Sequence, residues 1–162
     1  MKTNILNIIA FLIFAGSFPS CGEKGYGRFH DIDANVDSEI HIRMAEIYDI
    51  SPRTLQLYCS TTTIYPCSNY PIYVVSKQSS NTIDISFKGV IATDFCLTAI
   101  GPATAIIDLG TLSNGRYRLN LYNGAIKQSG ELIVSRDSYM INFAKKNAFH
   151  FTNARLNRIP EN

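Results

Sequence analysis

The sequence predicts an all-β protein: an antiparallel sandwich of two sheets with seven to eight strands, preceded by an N-terminal signal segment. Apolar residues recur at every second position along most of the chain, and turn-forming residues interrupt these runs at short intervals. No run of ten residues in the body has convincing helical spacing. The chain has 162 residues, of which 46% are hydrophobic and 17% charged, so it can bury the core of one domain.

The first 20 residues are typical of a signal peptide. Lys2 supplies the positive start, residues 5–14 are apolar except for Asn7, and small residues follow at 15–17. The apolar stretch is shorter than the roughly 20 residues that cross a bilayer. We therefore expect residues 1–20 to direct export.

Cys21 follows this apolar stretch, and the pair Ser20-Cys21 resembles the end of a bacterial lipobox. Phe18 and Pro19 depart from the pattern, which usually has Leu and a small residue at these positions. The resemblance implies cleavage before Cys21 and acylation of that cysteine, with palmitate among the acyl chains, in a lipoprotein of the bacterial cell envelope whose expected location is the outer membrane. The alternative is cleavage near residues 15–17, which leaves Cys21 as a plain thiol.

The rest of the chain divides into three segments. Residues 21–35 begin at the lipidated cysteine and contain three glycines, several charges and no hydrophobic period, as expected of a flexible tether. Residues 36–143 carry the strand pattern and form the predicted β-sandwich domain. Residues 144–162 are predicted to be a basic polar tail exposed to solvent.

Eight β-rich runs divide the predicted domain into strands. Nearly all of them alternate apolar and polar residues, which gives each strand one buried and one wetted face. They lie around residues 40–44, 55–59, 72–75, 83–88, 105–109, 116–122, 131–135 and 139–143. The breaks between them are rich in Gly, Pro, Asn and Ser, and Asn123-Gly124 predicts a hairpin, since both residues tolerate positive φ.

Residues 112–117 have the form Leu-x-x-Gly-x-Tyr and precede an alternating strand. This motif resembles the corner before a late strand in immunoglobulin-like and fibronectin-like sandwiches, and the resemblance covers residues 103–134 at most. It implies that the Tyr117 hydroxyl hydrogen-bonds back across the corner. The chain has no Trp and lacks the paired cysteines of antibody domains, so it resembles the wider immunoglobulin-like class, as found in secreted and surface lipoproteins.

The cysteines predict one disulfide and one free thiol. With Cys21 acylated three cysteines remain, and export makes a disulfide plausible. Cys59 continues the inward parity of its strand, whereas Cys67 and Cys96 lie in loop-like segments. We predict a Cys67–Cys96 disulfide, with Cys59–Cys67 as the alternative. The cysteine and histidine spacing fits no metal site, so neither a metal nor a cofactor is expected.

The sequence contains no recognisable catalytic motif, and its three histidines are scattered, so we predict no enzymatic activity. A net charge of +2 argues against a nucleic-acid partner. The candidate binding residues are four tyrosines that fall within sixteen positions around Cys67, namely Tyr58, Tyr65, Tyr70 and Tyr73. They suit a protein contact or stacking on sugar rings, although tyrosines in strands also commonly cover a sheet edge.

These features predict a membrane-anchored lipoprotein that binds a protein or a glycan without catalysis. The alternative is a secreted peptidase inhibitor that presents the loop held by Cys67. The sequence leaves the ligand and the oligomeric state open.

Overall fold

The computed structural model describes residues 35–48, 52–144 and 148–159. These residues form two sheets packed as a sandwich, which confirms the predicted all-β, two-sheet class. The strands are β1 (Ile40–Ile47), β2 (Thr54–Tyr65), β3 (Ile72–Ser79), β4 (Thr82–Val90), β5 (Gly101–Asp108), β6 (Gly115–Asn123), β7 (Ile126–Val134), β8 (Ser138–Phe143), β9 (Phe149–Phe151) and β10 (Arg155–Asn157).

Both sheets are mixed rather than purely antiparallel. The four-stranded sheet has the order β5-β2-β1-β9 and the six-stranded sheet the order β10-β8-β7-β6-β4-β3. β1 pairs with β9, and β4 with β6, in parallel. The parallel β4–β6 pair arises because β5 lies between them in sequence but in the other sheet, so the chain crosses over and returns in the same direction.

The C-terminal segment, residues 148–159, belongs to the sandwich, so the predicted domain end at Phe143 and the prediction that residues 144–162 form only a solvent-exposed tail are wrong. β9 adds to the four-stranded sheet beside β1, and β10 adds to the six-stranded sheet beside β8. Phe149 is fully buried, with its ring centroid 5.4 Å from that of Phe87 in the opposite sheet. A three-residue strand is too short to show an alternating pattern, so the sequence did not predict β9 or β10.

The core lies between the sheets and follows the predicted alternation. Fully burying one Leu, Ile, Met or Phe side chain contributes about 1.5–3 kcal/mol to the free energy of unfolding. The buried positions of the long strands include Ile40, Ile42 and Met44 in β1, Leu55, Leu57 and Cys59 in β2, Ile83, Ile85 and Phe87 in β4, and Leu119 and Leu121 in β6.

The corner before β6 has the predicted bond, because the Tyr117 hydroxyl donates to the Ser113 carbonyl at 2.9 Å. The β6–β7 hairpin also forms where expected, with Gly124 at φ +56°. Asn123 is not a central turn residue. Its buried side-chain amide instead accepts from and donates to the backbone of Val36, each at 2.8 Å, and so ties the start of the described chain to the hairpin.

A buried carboxylate holds the C-terminal segment at the end of β1. The Glu46 side chain is 3% exposed and accepts bonds from the Tyr139 hydroxyl at 3.0 Å, Arg158 Nε at 3.1 Å and the Ile159 backbone N–H at 3.2 Å. Arg53 Nη1 lies 4.0 Å from the same carboxylate. We call this network of Glu46, Arg53, Tyr139, Arg158 and Ile159 the clasp.

Candidate functional site

The predicted signal peptide, Cys21 and nearly all of the predicted tether fall in residues 1–34, which lie outside the described residues. Within the described ranges, no helix is long and apolar enough to cross a bilayer. The same ranges contain no group of three or more His, Cys, Asp or Glu side chains placed to hold a metal ion.

The Cys67–Cys96 disulfide is present as predicted, with the two Cα atoms 5.3 Å apart. Cys59 is a free thiol buried in the core, so the alternative Cys59–Cys67 pairing is wrong. Burial raises the pKa of the Cys59 thiol to about 12. This thiol therefore stays protonated at neutral pH, and a protonated thiol is a poor nucleophile.

The disulfide joins two loops at one end of the sandwich, the β2–β3 loop and the β4–β5 loop. Asn69 adds a second link beside it, because its Nδ2 donates to the Phe95 carbonyl at 2.6 Å and its Oδ1 accepts from the Leu97 N–H at 3.2 Å. The Ser68 N–H also donates to the Ala99 carbonyl at 2.7 Å. We call this region, residues 64–70 and 93–100, the pinned end.

Large apolar side chains project into solvent from the pinned end. Ile64 near the end of β2, and Phe95, Leu97 and Ile100 in the β4–β5 loop, are between 50% and 79% exposed. The disulfide and three hydrogen bonds join the β2–β3 and β4–β5 loops beside them. Exposed apolar side chains that cluster in this way mark interaction sites more often than isolated ones do. The pinned end is therefore the strongest candidate binding surface among the described residues.

Sequence reasoning missed these side chains because it weighed tyrosines alone. A usable signal was present: Phe95, Leu97 and Ile100 flank a loop cysteine and belong to none of the alternating runs. An apolar residue outside every alternating run is not predicted to lie on the buried face of a strand. Such a residue is a candidate for exposure, particularly where a disulfide fixes the loop.

The structure brings together two of the four predicted tyrosines. The rings of Tyr65 and Tyr70, both within the pinned end, lie with their centroids 5.9 Å apart and pack, partly buried, against the core. Burial, and then the negative charge of Asp37, raise the pKa of Tyr65. Tyr73 lies apart from them on the edge strand β3, where it is exposed.

Tyr58 lies on the solvent face of the four-stranded sheet. The Arg43 guanidinium packs over its ring, with Cζ 4.8 Å from the centroid, and its hydroxyl donates to Gln56 Oε1 at 3.2 Å. Strand register places Arg43, Tyr58 and Ile106 side by side across β1, β2 and β5. This row borders a depression of about 400 Å³, which we call the outer-face depression.

Comparison of the chain with protein-family models, curated proteins and solved structures finds no match. Functional inference for this protein therefore rests on its own residues and geometry.

Proposed function

We propose that this protein is a lipid-anchored lipoprotein of the bacterial envelope that binds another protein, without catalysis, through the pinned end. The exposed apolar cluster of Ile64, Phe95, Leu97 and Ile100 on a cross-linked support carries this proposal. The predicted ligand classes were protein and glycan. Apolar side chains favour the protein, because the fully buried core of a protein interface is more apolar than the rest of the surface, is depleted in charged residues and is enriched in aromatic residues such as Phe.

The support beneath the cluster makes it suitable for binding. Ordering a flexible loop on association costs about 0.5–1.5 kcal/mol for each immobilised side chain. The disulfide and the two Asn69 hydrogen bonds fix the backbone of the loop before any partner arrives. Less of the contact energy is then lost to ordering, and the partner meets one conformation of the surface.

A surface variant tests the binding role. The full-length protein, extracted in mild detergent from the cells that export it, should elute as a complex larger than its own detergent-bound form. Replacing Phe95, Leu97 and Ile100 together by Ser should release it from the complex, because the apolar contact is lost. Ile126→Ser is the matched control, since Ile126 is also an exposed apolar residue but lies at the start of β7. Equal elution of all three proteins would refute the proposal.

A second experiment tests the lipid anchor. Cells grown with radioactive palmitate should incorporate label into the wild-type protein, which should fractionate with membranes. Cys21→Ala should lose both the label and the membrane partition. An unlabelled wild-type protein, together with unchanged partition of the variant, would remove the anchor from the proposal.

A secreted peptidase inhibitor remains the second candidate, and one observation favours it. Asn69 braces the backbone on both sides of Cys96, at the Phe95 carbonyl and the Leu97 N–H, and so holds a loop ready to enter a cleft. Micromolar protein should then inhibit at least one member of a panel of serine and cysteine peptidases, and Leu97→Asp should relieve that inhibition. Full activity of every peptidase would dispose of this candidate.

A further inference from the structure

The outer-face depression is separate from the pinned end, because none of its lining residues belongs to residues 64–70 or 93–100. Its volume of about 400 Å³ lies within the usual range of small-molecule sites, roughly 300–1,000 Å³.

Arg43 gives the depression an unneutralised positive charge. Among the described residues, Arg43 makes no ion pair, and its one side-chain contact of note is the Tyr58 ring. An arginine stacked on an aromatic ring keeps its planar fork of donors free for a carboxylate. The stacking also holds the guanidinium in place before a ligand arrives.

Two carboxylates on or next to the strands of this sheet have other partners. Glu39 lies 3.8 Å from His150 Nε2, and Asp108 accepts the Gly110 N–H at 2.7 Å. No acidic side chain lines the depression. Its electrostatics therefore favour an anion over a cation.

The lining also includes the His41 imidazole, three hydroxyl groups and an apolar wall. Ser60 and Thr104 lie side by side on β2 and β5, and Thr152 lies at the β9 side. Ile106 is 62% exposed in the middle of β5 and forms an apolar wall beside Tyr58. A pyranose ring presents hydroxyls at its rim and C–H groups on its faces, which matches this combination of side chains.

We propose that the outer-face depression binds a carboxylated sugar, such as a uronic acid unit. The Arg43 guanidinium pairs with the carboxylate, the hydroxyls of Ser60, Thr104 and Thr152 exchange hydrogen bonds with the ring hydroxyls, and Ile106 contacts a C–H face. This site is independent of protein binding at the pinned end, so either proposal can fail alone.

The test titrates three probes into the isotopically labelled full-length protein in detergent and follows backbone amide resonances. D-glucuronate should give saturable shifts at Tyr58, Ser60 and Ile106. D-glucose, which lacks the carboxylate, and inorganic phosphate, which lacks the ring, should each bind at least tenfold more weakly. Equal binding of glucose or of phosphate would overturn the proposal, and so would the absence of saturable shifts with glucuronate.

Variants then test the residue assignments. Arg43→Gln should weaken glucuronate binding at least tenfold, and Arg43→Lys should weaken it less, because lysine keeps the charge and loses the planar fork. Tyr58→Leu should weaken binding severalfold by removing the platform under the guanidinium. Arg118→Gln is the control, since Arg118 is an exposed arginine on the other sheet. Binding by Arg43→Gln as tight as that of the wild type would refute the site.

Discussion

The two ends of β2 are stabilised by different kinds of interaction. Near Leu55, which pairs with Glu46, the clasp collects charged groups in the interior and satisfies them with one another. Near Tyr65, the pinned end uses a covalent bond and holds apolar groups in solvent. Charged side chains are usually exposed and apolar ones buried, and each end of β2 departs from this rule. At each end, contacts between residues far apart in the sequence hold these side chains in place.

The buried charges at one end of β2 and the exposed apolar side chains at the other have different roles. Buried charge at the clasp has its partners within the chain, so its role is to hold the C-terminal segment to the sandwich. The apolar side chains at the pinned end are exposed to solvent instead of being buried, and we propose that they contact a partner protein.

The largest effect is expected at the clasp. Glu46→Ala leaves Arg53 and Arg158 without their shared carboxylate and removes the acceptor of the Tyr139 hydroxyl. We therefore expect the free energy of unfolding to fall by about 3–5 kcal/mol. Urea denaturation measures the change. Glu39→Ala is the control, because Glu39 is an exposed carboxylate and should change stability by under about 0.5 kcal/mol. Similar effects of the two substitutions would contradict the structural role of the clasp.

Removing the disulfide of the pinned end should lower the free energy of unfolding slightly less than Glu46→Ala does. The disulfide closes a loop across 29 positions, and the Cys67→Ser/Cys96→Ser double variant should lose about 3–4 kcal/mol of unfolding free energy. Hydrogen exchange should accelerate in residues 91–100 and stay slow at the clasp. Reductant should reproduce the loss in the wild type and add nothing in the double variant. Uniform acceleration across both ends would show that the two links are not independent.

Alkaline pH should weaken the clasp by a smaller amount. Burial, and then the hydrogen bond to Glu46, raise the pKa of Tyr139 to about 12, against an ordinary value of 10. The unfolded chain therefore loses this proton first, so the stability that Tyr139 contributes is complete below pH 10 and is lost as the pH rises towards 12. Tyr139→Phe should show a shallower fall in unfolding free energy over this range. An identical slope would show that Tyr139 does not carry the effect.

The smallest effect is expected from a single neutral hydrogen bond. Tyr117→Phe removes the bond to the Ser113 carbonyl and leaves the ring in place, so it should cost about 1 kcal/mol. Tyr73→Phe serves as the control, since Tyr73 is exposed on the edge strand β3 and should change stability negligibly. Equal midpoints in urea for Tyr117→Phe and the wild type would remove the corner bond from the account.

The alternation of residues predicted the long strands, their buried faces and the free Cys59, because the side-chain period of a strand is a local property. Partner choice is not local, so the parallel β4–β6 pair and the three-residue strand β9 were not predictable from the pattern. Glu46 was recognisable in principle. It continues the inward parity of Ile40 and Ile42 in β1, and a carboxylate on a core-facing position requires cationic partners.

The exposed apolar cluster was harder to predict than the disulfide beneath it. Cys67 and Cys96 follow a simple rule, since two loop cysteines tend to pair in a chain that is predicted to be exported. Whether Phe95 points into the sandwich or out of it depends on how the braced loop turns, and the Asn69 hydrogen bonds that set this join residues 26 and 28 positions apart.

Photo-crosslinking in living cells shows whether the pinned end contacts a partner protein. A photoreactive amino acid replaces Phe95 in one strain and Ile126 in another, and adducts are compared after irradiation. We expect a discrete adduct of defined mass from position 95 that is absent from position 126 and is lost when Leu97→Asp is added. Adducts that are identical from both positions, or absent from position 95, would contradict it.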